Sequence, residues 1–392
     1  MLEGFGIILF SGLIFGFISK KFKLPALFGM IIAGIIIGPY SLNLLDSKVL
    51  DISNELRRIA LIIIIIRAGL KLDLNNLRKV GKEALLMSFL PASFEILAFF
   101  IFGPILLGFS RIDSLILGSI IAAVSPAVVV PRMIILIDEK LGTDKQIPEM
   151  ILSGASLDDV FVIVLFSSFI SLGMGENISI YKFIEIPISI ILALIVGLVV
   201  GYFLSTLFNN IKLSLTNKTI IIFVAAFFLN FIEFGQEFIP FASLIGIMAM
   251  GIIIRLKSLD DAINLSLVFD KLWLAAEMFL FVLVGSSVQI GSLKEFGLTG
   301  LIIIFIGLIF RSLGVFTLLI GSKLNLKEKL FTIMAYIPKA TVQAAIGSVP
   351  LAMGLKNGKI MLTISVLAIL TTAPLGAFLI DHFKYKLLNK EG

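Results

Sequence analysis

Residues 154–169 read GASLDDVFVIVLFSSF, an apolar run with two adjacent carboxylates, Asp158 and Asp159, near its start. No basic residue occurs between Lys145 and Lys182. The surrounding apolar segment is long enough to cross hydrocarbon as a helix, which needs about 20 residues. A charged side chain at bilayer depth costs roughly 2.5–3.5 kcal/mol on insertion scales, so two in succession imply partners, a water-filled cavity, or both. A pair that trades protons for cations accounts for that cost best.

Composition places the whole chain in the same setting. Its 392 residues are 59% hydrophobic and 15% charged, with a mean hydropathy of +1.12. A soluble core of this size has no room for so much apolar surface. Cysteine is absent, which excludes disulfides and thiolate metal sites. The opening stretch MLEGFGIILFSGLIFGFISKK carries Glu3 and lacks a basic leader region, so it reads as a retained helix. The formal charge of +6 is explained by loop topology, and no basic, aromatic-interleaved domain is available to bind nucleic acid.

Apolar periodicity and length predict an all-α polytopic membrane protein of about thirteen transmembrane helices. They fall near 3–19, 25–39, 56–70, 83–108, 114–136, 149–172, 184–208, 219–234, 240–256, 270–289, 297–321, 328–353 and 360–381. With the N-terminus outside, 21 of the 32 Lys and Arg residues fall in inner segments and 8 in outer ones. That bias predicts an N-out, C-in orientation, in a cell (inner) membrane. If the seventh span is a linker, the two sets of six start on opposite sides. This parity is that of an inverted repeat, a common architecture of secondary transporters.

Two spans at equivalent places carry prolines. Span five contains Pro126 and Pro131, and span twelve contains Pro338 followed by Lys339. Proline removes a backbone donor and clashes with the preceding turn, so both helices are expected to unwind locally. The alternative is a pair of simple kinks. Glu95 in the middle of span four and Arg311 in the middle of span eleven are symmetry counterparts, expected to form a structural ion pair.

Successive residues of a helix point about 100° apart, so Asp158 and Asp159 cannot both face one cavity squarely. A hard cation takes oxygen ligands. Asp159, Ser125, Ser156 and carbonyls freed around Pro126 are the candidates, with Asp159 as the Na⁺ ligand. Proton and cation then compete for the same oxygens. An intramembrane aspartyl protease would need its two aspartates on separate helices, and a channel would need a filter motif; neither is visible.

The segments RAGLKLDL (67–74), AVSPAVVVP (123–131), GASLDD (154–159) and IPKATVQAA (337–345) resemble the NHA-type branch of the monovalent cation/proton antiporters. The resemblance implies an NhaA-like fold with two crossed, half-unwound helices and a homodimer. It implies dimerisation-domain helices in 1–82 and 219–289, core helices in 83–172 and 297–381, and a linker helix at 184–208. Asp159 resembles the cation- and proton-binding carboxylate, and Asp158 a second carboxylate salt-bridged to Lys339. Ser125 stands where many relatives place an acidic residue. The implied function is that of a transporter, not an enzyme: exchange of Na⁺ (or Li⁺) for H⁺ by alternating access. With Lys339 paired to Asp158, sodium binding at Asp159 is expected to release two protons, one from each of Asp159 and Lys339, which makes exchange electrogenic. No cofactor is implied; the cation and the proton are substrates. An electroneutral Na⁺/H⁺ or K⁺/H⁺ exchanger, or a sodium-coupled organic-anion symporter of the same architecture, is the alternative.

Overall fold

The computed structural model describes residues 1–72, 82–174, 180–235 and 241–390, leaving aside the side chains of 156, 160, 180–187 and 233–235. The side chain of Ser156, and residues 73–74 of the RAGLKLDL segment, therefore lie outside what is described. The elements are α1 (Leu2–Lys21), α2 (Ala26–Ile37), α3 (Ser47–Asp51), α4 (Ser53–Lys71), α5 (Lys82–Met87) and α6 (Leu90–Leu107). Next come α7 (Arg111–Ala122), α8 (Pro126–Asp138), α9 (Ile147–Gly173), α10 (Ile180–Asn210), α11 (Leu215–Gly235) and α12 (Ser243–Lys257). The last are α13 (Leu259–Ser286), α14 (Ile290–Leu318), α15 (Leu326–Ala335), α16 (Thr341–Ile346), α17 (Val349–Ala352) and α18 (Gly358–Leu387). Among the described residues there is no strand, only an isolated bridge between Leu141 and Lys390.

Eight helical segments among the described residues are long and apolar enough to cross a membrane on that ground alone. The other segments expected to cross are shorter, broken or more charged. The α2 helix has 12 residues, α12 has 15, α4 and α13 carry several ionisable side chains, and α15–α17 is interrupted.

Contacts group the chain into two compact units. One comprises Met1–Asn54, Asn75–Gly173 and Met278–Gly392; the other comprises Glu55–Leu74 and Met174–Glu277. The smaller unit packs α10 against α12 through glycines. A side chain at Gly197 would run into the Gly246 carbonyl, so the two backbones meet as closely as small residues allow. Two ion-paired clusters lie within it. Asp270 accepts hydrogen bonds from Arg67 and from Lys71 at 2.6 Å, and Lys218 reaches Asp261 at 2.6 Å.

In the larger unit, Ser110 and Asn325 cap the starts of α7 and α15. Each side chain accepts a backbone N–H three residues on, at 3.0 Å, and Asn325 completes a capping box with Glu328. Both helices then stop short. The backbone is extended from Ala123 to Ser125 before α8, and irregular from Tyr336 to Ala340 before α16. Pro126 occupies the first helical position of α8, where its missing N–H costs nothing. Pro131 lies inside α8 without ending it, so the unwinding expected at this span is confined to the residues before Pro126. Around these breaks sits a fully packed apolar cluster that includes Met87, Val124, Val129, Ile151, Ala155, Val315, Phe331, Ala335 and Tyr336.

Candidate cation-binding site

The two breaks touch. The Ser125 N–H donates to the Pro338 carbonyl at 2.8 Å, and the Lys339 N–H donates to Thr372 Oγ1 of α18 at 2.9 Å. Irregular backbone at membrane depth requires such partners because lipid offers none.

A helix end leaves four carbonyls without intrahelical donors and carries a partial negative charge. At the end of α7 those carbonyls are taken by side chains from other helices. Arg311 Nη1 donates to the Ala122 carbonyl in a short contact, and Lys339 Nζ approaches the same oxygen at 3.4 Å. Gln343 Nε2 lies 3.1 Å from the carbonyls of Ile120 and Ile121 and 2.9 Å from that of Ala123. The end of α15 is served by the same arginine, whose Nε donates to the Tyr336 carbonyl at 2.7 Å. The Ser125 carbonyl accepts from the N–H groups of Val128 and Val129. The expectation that freed carbonyls around Pro126 offer themselves to a cation is therefore corrected for residues 120–123 and 125: their oxygens already have donors.

The buried charges form one network. Arg311 Nη1 is 3.0 Å from Glu95 Oε2, and Arg311 Nη2 is 3.1 Å from Asp158 Oδ2. Lys339 Nζ is 2.6 Å from Glu95 Oε2. Asp158 Oδ2 also accepts the Val124 N–H at 2.6 Å. The structure thus brings Glu95 and Arg311 together, but it corrects the pairing of Asp158 with Lys339. Asp158 pairs with Arg311, and the lysine hydrogen-bonds to Glu95. The guanidinium presents donors in several directions, which suits it to two acids and two helix ends at once.

Two cations and two carboxylates balance in this network. Asp159 is left over. Its Oδ1 is buried without a hydrogen-bond partner, as are Asp158 Oδ1, Ser125 Oγ, Thr341 Oγ1 and Gln343 Oε1. Unpaired buried oxygens are costly and call for an occupant. Because the cationic donors of the site, Arg311 and Lys339, are spent on helix ends and on the network, the occupant these oxygens suit is a cation or a proton.

A family model described as "Sodium/hydrogen exchanger, transmembrane" matches residues 6–382. The chain belongs to the sodium/hydrogen exchanger family. It is 33% identical to sodium/hydrogen exchanger 9B2 of Xenopus tropicalis, over 98% of this chain and 75% of that one. Against human sodium/hydrogen exchanger 9B2 the identity is 30%, over 94% of this chain and 70% of that one. Its fold matches the solved structure of the sodium proton antiporter MjNhaP1 from Methanocaldococcus jannaschii with a TM-score of 0.85 and 22% identity, covering 98% and 97% of the two chains. In this exchanger-family chain, then, a membrane fold shared with a solved antiporter surrounds the leftover acid.

Sequence reasoning did not assign Thr341, Gln343, Thr372 or Tyr336 to the site. Thr341 and Gln343 could have been found, since both stand in the IPKATVQAA segment as polar residues among apolar ones. Tyr336 packs its ring over Arg311, 5.1 Å from the guanidinium carbon to the centroid. Its hydroxyl fills the space over Gly154, one turn before Asp158. A side chain at Gly154 would meet that hydroxyl and come within 2.6 Å of Met87 Cβ. Gly154→Ala is expected to overpack this contact and lower stability by about 1–3 kcal/mol. Thermal unfolding of the purified protein measures it, and wild-type stability would show that helix and tyrosine do not meet there.

Proposed function

We propose that this protein exchanges Na⁺ (or Li⁺) for H⁺ across a membrane, with Asp159 as the group on which the two ions alternate. The observation that carries the reading is the charge balance: Arg311 and Lys339 are matched by Glu95 and Asp158, and among the described residues Asp159 has no ion-pair partner of its own. A proton or a cation supplies the missing charge, so each displaces the other. Ser125 and Asp158 add oxygens of the kind a hard cation takes, and Ser156 lies one turn from Asp159 along α9.

The rest of the reading is an alternating-access transporter with thirteen crossings, an inverted repeat and a homodimeric assembly, N-terminus outside and C-terminus inside, in a cell (inner) membrane. Every residue of the network comes from the segments 83–172 and 297–381, which supports treating these as the moving core, with 1–82 and 219–289 as dimerisation segments and 184–208 as a linker. The test is direct. Proteoliposomes holding the purified protein and an outward-directed pH dye should show proton movement on adding NaCl or LiCl but not choline chloride. Absence of that response sinks the proposal.

Stoichiometry is where the geometry favours a second reading. Two protons per sodium require Lys339 to lose its proton as sodium draws Asp158 away from it. Here Asp158 is partnered by arginine, which does not deprotonate in proteins, and Lys339 is held by Glu95. One proton, that of Asp159, then exchanges for one cation, and transport is electroneutral. An electrogenic exchanger would gain about 2.3 kcal/mol per net charge per 100 mV. Reversal measurements at imposed voltage are expected to show no shift of the sodium–proton balance; a shift matching one net charge restores the electrogenic model.

A further inference from the structure

We propose that Gln343 determines which cation the site accepts, by occupying backbone carbonyls that would otherwise serve as ligands. This rests on the exchange reading above and adds to it a residue that sets selectivity.

Gln343 is fully buried in α16, beyond the second break. Its amide nitrogen reaches three carbonyls at the end of α7, those of Ile120, Ile121 and Ala123, at 2.9–3.1 Å. An amide has two hydrogens, so the three oxygens share them. The fourth carbonyl of that end, from Ala122, belongs to Arg311. No carbonyl from 120 to 123 is left without a donor. The unpartnered buried oxygens of this site belong to side chains, among them Oδ1 of Asp158 and of Asp159, the hydroxyls of Ser125, Thr341 and Tyr336, Glu95 Oε1 and Gln343 Oε1 itself.

That division matters because ligand number and field strength decide which ion is held. Carboxylates exert a strong field and favour a small ion that comes close. Rings of neutral carbonyls exert a weaker one and replace the hydration shell of a larger ion such as K⁺. Gln343 shifts the set toward the first kind by removing the second. If it merely fastened α16 to α7, its loss would weaken transport of every cation alike. If it sets the ligands, its loss frees carbonyls and changes the order of preference.

The experiment compares full-length wild type with Gln343→Leu and Gln343→Met in proteoliposomes, reading the apparent KM for NaCl, LiCl and KCl. Methionine keeps the length of glutamine and lacks the donor, so both variants should shift the same way. The expected result is a fall of the KM ratio of K⁺ to Na⁺ by about tenfold, equivalent to about 1.4 kcal/mol of differential binding. An unchanged ratio, or failure of both variants to purify as folded protein, assigns Gln343 a structural role and overturns the inference. A wild type that moves no protons on any cation overturns instead the exchange reading beneath it.

Discussion

Replacing Asp159 with asparagine is expected to abolish cation-driven proton movement while leaving the protein folded. Asparagine keeps the shape of the side chain and cannot carry the charge for which proton and sodium compete. The network beside it stays balanced, because Glu95, Arg311, Asp158 and Lys339 are untouched. The charge is what attracts either ion to the site. Here the group is also the carrier, so the rate should drop to that of empty liposomes. Thermal stability should hold or rise, since an uncompensated buried charge is removed. Sodium-driven dissipation of a pH gradient that survives in Asp159→Asn would rule this carboxylate out as the exchange site.

The contrast with its neighbour sharpens the point. Asp158 accepts from Val124 N–H and from Arg311, so asparagine there disturbs a paired group and the end of a helix. Two carboxylates adjacent in sequence thus have different jobs, because the 100° step between helix residues turns one into the network and leaves the other out of it.

Much of this was legible before any coordinates. An acid or base inside an apolar run is conspicuous, and Glu95, Asp158, Asp159, Arg311 and Lys339 all stand out that way. The prolines at 126 and 338 located the breaks to within a few residues, because the backbone chemistry of proline is local. What stayed hidden depends on where helices cross. Lys339 lies in an irregular stretch with no helical phase to extrapolate, so its choice of Glu95 over Asp158 could not be read from spacing. The same holds for the carbonyls of α7. Unwinding frees them in principle, and only the arrival of Gln343 and Arg311 from distant segments shows that they are filled. The short α2 and α12 were found as apolar runs, but length does not decide whether such runs cross.

Arg311 is the residue whose loss should most damage the fold. In Arg311→Met, Glu95 keeps only Lys339, Asp158 keeps only the Val124 N–H, and the Tyr336 carbonyl loses its described side-chain donor. Breaking a buried ion pair from one side typically costs about 3–5 kcal/mol, because the remaining charge is stranded. Arg311→Lys should recover little, since one ammonium cannot span two carboxylates and two helix ends as the planar fork does. Glu95→Gln should cost less than Arg311→Met, because the arginine then still holds Asp158. The double replacement Glu95→Met with Arg311→Met separates two pictures. An isolated pair predicts that the second change restores most of what the first removed. The network predicts partial recovery at best: Lys339 loses its carboxylate, and Asp158 still lacks its guanidinium. Unfolding measurements on the four proteins of that cycle decide. Full recovery would mean that Arg311 serves Glu95 alone, and strictly additive losses would mean that the two side chains are not coupled at all.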